Sequence, residues 1–398
     1  MTVRGTFRLN PKDPSVTSRY AAGKVPITTL IEDYIDGRLD IEGDFRAFIK
    51  ERASVVDYRL VTDHLKFVVT RFLPEVAIHS QAQDIRIGRE HYDRGNDFFN
   101  WFLGPRMIYT SGFFTDANQS LEQAQDQKMK LVCEKLQLKQ GERLLDIGCG
   151  WGTLVATAAK EYGVDATGVT IAEKGSAWAT EQIARYGVAD RARILTKDYR
   201  DIPNEKWNKI SCLEMAEHVG VKNFQKFLRQ VYGLLEDDGL FYLQIAGLRA
   251  RQGLTGLHFE DLVWGLFMNK YIFPGADASM PLSFVVNHLE QAGFEVHSVE
   301  NVGIHYSLTI SRWYDNWMAH RAEVTKAYGE WWFRLWQVFL GWSVDIAAQG
   351  ASTCFQVVAN KNLNAFDRTR WLGATNLGER DLQVASEGEA KAPKARAS

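Results

Sequence analysis

LLDIGCGWGT (144–153) is an apolar run that closes on an acid and then carries three glycines at alternate positions. The run reads as a buried strand, and TLVATAAKEYG (153–163) after it has helical spacing, so the glycines fall at a strand-to-helix turn. Glycine there lets the backbone approach a ligand closely, and the helix beyond it offers unpaired N–H groups. Such a turn can seat NAD, can seat the adenosyl end of S-adenosylmethionine, or can be structural only. A dinucleotide site would read GxGxxG, with an acid near the end of the second strand. Here the spacing is GxGxG after Asp146, and the second strand ends GVTI, with Thr170 where the acid would stand. After the third strand comes Asp198-Tyr199, an acid able to accept from an adenine amino group beside an aromatic able to stack. S-adenosylmethionine is the ligand these features fit.

Working outward, β-rich runs alternate with helical ones from about 140 to 300. ERLLDI, DATGVTI, ARILTKD, KISCLEM and GLFYLQIA read as strands, with TLVATAAKEYG, GSAWATEQIARYG and NFQKFLRQVYGLL as the helices between them. That alternation predicts an α/β fold with a doubly wound, mostly parallel, Rossmann-like sheet. The chain around it divides into a helical N-terminal segment (1–85), the main domain (86–365) and a polar tail (366–398). Residues 1–18 are polar and read as irregular, whereas ITTLIEDYIDG and LVTDHLKFVVTRFL have helical period. An aromatic, loop-like insert occupies 248–288. FEVHSVENVGIHYSLTI then resumes strand character and leads into a helical, Trp-rich stretch from about 309 to 350.

Composition narrows the function. The 398 residues are 45% hydrophobic and 24% charged, with 12 Trp and 22 Phe, which points to large apolar contact surfaces. A net charge of −2 offers no basic field for nucleic acid. Four cysteines without CxxC spacing suit a reducing compartment and suggest neither a zinc site nor a disulfide framework. MTVRGTFRLNPKDP contains no apolar signal stretch, and no run approaches the roughly 18–20 apolar residues of a membrane span. The expected location is cytoplasmic, with the protein resting on a membrane surface.

Two further stretches carry polar residues where ligands bind. In REHYDRGNDFFNWFLGPRMIYTSGFF (89–114), Tyr109, Thr110 and Ser111 form a polar trio in an apolar run, suited to lining a cleft. In LEMAEHVGVKNF (213–224), Glu214, Glu217 and His218 follow the fourth strand, the edge at which open α/β sheets bind ligands. They are candidate acids, bases or ion ligands, against the plainer reading that Glu217 caps the next helix and His218 packs in the core.

HYDRGNDFF, MIYTSGFF, LLDIGCGWG, GVTI, EMAEHVGVKNF and HYSLTISRWYDNW, spread over about 88–320, resemble the cyclopropane-fatty-acid synthase family. LQIAGLR, FEDLVWGLFMNKYIFPGADAS and IHYSLTISRWYDNW look like its fungal sphingolipid C9-methyltransferases. The resemblance implies methyl transfer from S-adenosylmethionine to a lipid alkene through a carbocation, which needs a water-free pocket and a base. Proton loss from the new methyl closes a cyclopropane; loss from the chain leaves a methyl branch. It implies cofactor contacts at Tyr109, Thr110, Asp146, Gly148, Gly150, Thr170, Asp198 and Tyr199. It also implies a bicarbonate base, held by residues matching Ser111, Glu217, Gln244 and Tyr306 and by the backbone of Ala246. Ser111 stands where the family has cysteine, Gln244 where it has histidine, and Gly175 where it usually has glutamine. The insert and WWFRLWQVFLGW (331–342), with Arg334, are then expected to face lipid. The partners implied are an unsaturated lipid and a membrane surface, with a homodimer as a candidate assembly. A small-amine N-methyltransferase and a catalytically dead lipid-binding protein are the rival readings.

Overall fold

In the computed structural model the described residues are 3–4, 6–21, 23–72, 94–250, 258–274 and 279–372. Seven strands form the central sheet: β1 (Arg143–Ile147), β2 (Asp165–Thr170), β3 (Ala192–Thr196), β4 (Trp207–Leu213), β5 (Leu235–Leu248), β6 (Phe294–Asn301) and β7 (Ser352–Lys361). Their order is β6-β7-β5-β4-β1-β2-β3. β1 to β5 pair in parallel, while β7 runs antiparallel between β5 and β6, with Gln244 opposite Gln356. The chain moves from β1 through β2 to β3 on one side and resumes with β4 on the other. That reversal opens a crevice at the carboxyl ends of β1 and β4, where Asp146 and Glu214 lie.

Strand β1 is buried on both faces, as a central parallel strand must be: Leu144, Leu145, Asp146 and Ile147 are all inside. Helices Thr153–Tyr162, Glu173–Arg185 and Val221–Leu234 cover the sheet, as the alternating pattern predicts. Helix Leu121–Lys135 starts on a capping box, Ser120 Oγ accepting from Gln123 N and the Gln123 side chain returning to Ser120 N.

Several expectations need correction. The N-terminal segment is not simply helical. Phe7–Pro11 and Leu39–Gly43 pair antiparallel, and Pro14–Ala21 is a helix in the region expected to be irregular. Each strand is only five residues long and its partner lies some thirty residues away, so the pairing leaves little trace in local periodicity. IHYSLTI is helical, part of Gly303–Ala319, because the strand ends at Asn301 and the Asn301 side chain accepts the Gly303 N–H at 2.9 Å. The insert is not all loop: it carries helix Phe259–Phe267 and the start of helix Leu282–Gln291. Residues 251–257 and 275–278 of that insert, the 85/86 boundary and the tail beyond 372 lie outside the described residues.

The Trp-rich stretch proves to be core rather than a lipid-facing surface. It forms helix Glu330–Ala348, in which Phe333, Leu335, Trp336, Leu340 and Trp342 are fully buried. The helix packs on Gly303–Ala319 and on the N-terminal helices Ile27–Ile35 and Phe45–Glu51. Arg334 is spent inside this packing, donating to the carbonyls of Tyr34 (2.8 Å) and Leu39 (3.2 Å) and to Asp40 (2.8 Å). Arg52 ties the same layers together through Glu260 and Asp345. Only Trp331 at the start of the stretch is exposed.

Candidate active site

A cleft of about 1390 Å³, counted to its solvent-open mouth, lies at the crevice. Every residue expected to contact the cofactor lines it: Tyr109 and Thr110, then Asp146, Gly148 and Gly150, then Thr170, Asp198 and Tyr199. The glycine turn shapes its floor. Gly148 has φ +81°, and a Cβ there would meet the Met215 side chain at 2.4 Å, so this position is closed by packing. Gly150 has φ +54° with nothing within 4 Å of its Cβ position, so there the missing side chain is open cleft. Asp146 is buried and accepts from Ser211 Oγ at 2.8 Å. Burial pushes its carboxyl up to about 6, which suits an acid paired with a ligand rather than with water. Asp198 holds Arg200 through Nε (2.7 Å) and a second guanidinium nitrogen (2.9 Å), so one ion pair forms part of the rim. The Gly175 departure is local packing: a Cβ there would sit 3.2 Å from the Gly150 carbonyl, bringing the first turn of helix Glu173–Arg185 against the glycine loop. An acidic, nucleotide-sized cleft with an open glycine position fits S-adenosylmethionine.

Asn96 of HYDRGNDFF has a structural task. It accepts from Trp151 Nε1 at 2.9 Å and donates to the Lys174 carbonyl at 3.3 Å, tying the glycine loop to helix Glu173–Arg185. Nearby, Tyr109 sits in a wall of rings, 5.4 Å from Phe102, 5.5 Å from Trp313, 5.7 Å from Phe99 and 6.1 Å from Phe273 between centroids.

The five residues expected to carry the chemistry group around two carboxylates, Glu214, which is partly buried and lines the cleft, and Glu217, which is buried. His218 lines the cleft, its ring 6.2 Å from Phe273. Glu217, the preceding residue, is buried, with Oε1 accepting the Ala246 N–H and Oε2 without a hydrogen-bond partner. Ser111 N donates to Glu214 Oε1 at 2.9 Å, and Ser111 Oγ donates to the Gly112 carbonyl at 3.0 Å. Gln244 Nε2 donates to Glu214 Oε1 at 2.6 Å, while its Oε1 accepts from Tyr242 and Gln356, each at 3.2 Å. Tyr306 lies within the field of both carboxylates, and burial raises its phenol well above the ordinary value, so it stays a hydroxyl.

The two carboxylates differ in support. Burial raises both. Glu214 is offset by the Ser111 N–H, the Gln244 amide and the Lys128 ammonium. Glu217 has only backbone N–H groups to offset burial and the neighbouring Glu214 charge, and is pushed up to about 8. Unequal environments of this kind separate an acid from a base in one pocket.

The model of the mycolic acid cyclopropane synthetase family matches residues 79–357. The chain belongs to that family. A sphingolipid C9-methyltransferase of Komagataella phaffii is 48% identical over 372 residues, 90% of this chain and 75% of that protein. Sphingolipid C9-methyltransferase A of Emericella nidulans is 45% identical, covering 94% of this chain and 72% of its own length. Among solved structures, the mycolic acid cyclopropane synthase CmaA1 in complex with SAH and CTAB aligns with a TM-score of 0.67 at 25% identity, over 70% of this chain and 98% of that one. The chain is an S-adenosylmethionine-dependent methyltransferase.

Within this cyclopropane synthetase member, two residues of the candidate site have surroundings that a linear reading of the sequence does not give. Glu214 has φ +52°, rare for a residue with a side chain, and that twist accompanies its placement in the cleft beside Ser111 and Gln244. In the sequence it stands as one of three candidates, beside Glu217 and His218. Lys128 is fully buried, its Nζ donating to Thr110 Oγ1 at 2.6 Å, and burial pushes it down to about 8. A signal existed: Gln125, Lys128 and Lys135 share the spacing of Leu121 and Val132, so polar side chains fall on the buried stripe of helix Leu121–Lys135.

The residues that would hold bicarbonate do not fit it as they stand. The Ala246 N–H goes to Glu217, Gln244 spends one amide N–H on Glu214 and its oxygen on Tyr242 and Gln356, and the Ser111 hydroxyl goes to a carbonyl.

Proposed function

We propose that this methyltransferase adds a methyl group to a carbon–carbon double bond of a lipid, and that the acceptor is the long-chain base of a sphingolipid, methylated at carbon 9. The observation that carries the reading is the ring wall around Tyr109 in the cleft that Glu214 also lines. An alkene is a weak nucleophile whose attack leaves a carbocation, so its site must exclude water and offer negative potential. Aromatic faces and the held carboxylate of Glu214 supply both. An amine acceptor attacks through its lone pair and forms no carbocation to shield. The names of the two relatives support the acceptor class and the position.

S-adenosylmethionine, when bound, supplies an electrophilic sulfonium methyl. Asp146, Thr170, Asp198 and Tyr199 would hold it on the floor opened by Gly150, and Tyr109 with Thr110 would orient its methyl end toward the rings. Lys128 holds Thr110 and offsets part of the Asp146 and Glu214 charge, which keeps the pocket from repelling a second acid. With serine and glutamine in place of cysteine and histidine, the product is a methyl branch rather than a ring. A membrane-facing surface is part of this reading. Leu60, Leu65 and Val69 are half to two-thirds exposed, and among the described residues no helix is long and apolar enough to cross a bilayer.

The test is incubation with labelled S-adenosylmethionine and, separately, unsaturated ceramide, glucosylceramide, unsaturated phospholipid and a set of amines. Label in a sphingolipid, with mass and NMR spectra showing a branched methyl, is the expected result. A cyclopropane as main product, or label only in amines, would overturn it.

A further inference from the structure

We infer that Glu217 is itself the base of this enzyme, its free Oε2 accepting the proton that discharges the carbocation, with no bound bicarbonate. This rests on the alkene-methylation reading above. Three arrangements carry it. First, the backbone N–H of Ala246, which the resemblance assigns to an ion, already holds Glu217 Oε1, so the glutamate occupies the place of the ion at that donor. Second, both Ser111 donors are spent within the protein and Gln244 gives one amide N–H to Glu214, so of this pair a third anion would find only the second Gln244 N–H. Third, Glu217 Oε2 is sealed from solvent and accepts no hydrogen bond, an unusual state for a buried carboxylate oxygen. A buried acceptor left empty is costly unless something fills it during turnover.

The surroundings suit a base. The titratable groups that act electrostatically on Glu217 or respond to it are Glu214, Cys212, Cys354 and Tyr306. Both thiols and the phenol are raised well above their ordinary values by burial and stay neutral. The charge facing Glu217 is therefore that of Glu214, held by Ser111, Gln244 and the field of Lys128. A fixed anion beside the base makes it more basic, and the same anion stabilises the neighbouring cation. In the step itself a C–H bond next to the cationic carbon breaks. Its electron pair becomes the new C=C bond, the positive charge is discharged, and the proton resides on Oε2 until solvent takes it when product leaves. The methyl remains on the chain as a branch.

The experiment has a binding arm and a turnover arm, both on the full chain. 13C-bicarbonate is titrated against the protein with S-adenosylhomocysteine present, and turnover is followed in buffer freed of carbon dioxide under argon. No bound bicarbonate resonance, and turnover within twofold of that in air, are expected. Glu217→Gln lowers kcat by about 10²–10⁴-fold, the range of a lost general base, while S-adenosylhomocysteine affinity changes less than twofold. Glu217→Ala recovers activity with added formate and Glu217→Gln does not, because only the alanine leaves room for an external carboxylate. Wild-type kcat rises with pH on one ionisation close to 8, and Glu217→Gln abolishes that limb. Bound bicarbonate, turnover that requires it, or a Glu217→Gln enzyme within tenfold of wild type would overturn the inference while leaving lipid methylation standing. Failure of the wild type to methylate any lipid would overturn both.

Discussion

Alanine at Gly148 and alanine at Gly150 put the same methyl group on two backbone positions of the same turn, and the structure assigns them opposite consequences. Both have positive φ, +81° and +54°, so each substitution carries left-handed strain of roughly 1–2 kcal/mol. Only at Gly148 does the new Cβ collide, 2.4 Å from Met215 Cγ and 2.5 Å from its Cβ, adding about 1–3 kcal/mol of overpacking. Gly148→Ala should therefore cost about 2–5 kcal/mol in total. At about 2–4 °C per kcal/mol for a domain of this size, that is a fall in Tm of roughly 4–20 °C. Gly150→Ala should cost only the strain, a few degrees. Its methyl instead enters cleft space next to residues expected to hold the cofactor, so S-adenosylhomocysteine should bind at least tenfold more weakly. Thermal melts of the free proteins and isothermal titration with S-adenosylhomocysteine measure the two effects separately. The reasoning fails if Gly150→Ala melts as low as Gly148→Ala, or if it binds S-adenosylhomocysteine as tightly as wild type does.

Lys128 predicts a pH effect on stability. Its ammonium is pushed from 10.5 down to about 8 by burial, so between these values the unfolded chain binds one more proton than the folded one, and stability rises with pH by about 1.4 kcal/mol per unit. The rise totals about 3 kcal/mol. Lys128→Met removes it, which urea denaturation at pH 7.5 and pH 10 would detect as a shrinking difference between wild type and variant; Lys209, shifted in the same direction, is present in both and cancels. For product choice, the double variant Ser111→Cys, Gln244→His takes the Gln244 amide from Glu214 and the residue-111 hydroxyl from the Gly112 carbonyl, while the backbone N–H of residue 111 stays on Glu214, and is expected to raise the cyclopropane share of the product, read by NMR of the extracted lipid; an unchanged product ratio would remove those two residues from the account of ring closure.

Much of the sheet was legible because its signals are local. An apolar run, a glycine turn and a helical period each lie within a dozen consecutive residues, and β1 to β5 follow them closely. That Asp146, Thr170 and Asp198 line one cleft was legible for the same reason, since they lie at or just past strand ends whose positions the pattern marks. β7 was not: STCFQVVANK is a hydrophobic run after a long helix, and its insertion between β5 and β6 is decided by pairing with strands far away in the chain. The burial of WWFRLWQVFLGW was equally hidden, because an aromatic helix looks the same whether lipid or protein covers it; here the N-terminal helices cover it, and Arg334 and Arg52 hold them there.

By itself, then, the order of residues determined the strand-turn-helix units, the glycine turn and the resemblance, because each depends on neighbours in sequence. The tertiary structure decided which donors face which acids. Ser111, Glu214, Gln244 and Gln356 come from four separate segments, and only their packing turns them toward one another and leaves Glu217 Oε2 without a partner. Hydrogen-bond pairing and desolvation depend on distances of a few ångströms across the fold, and linear spacing carries no record of them.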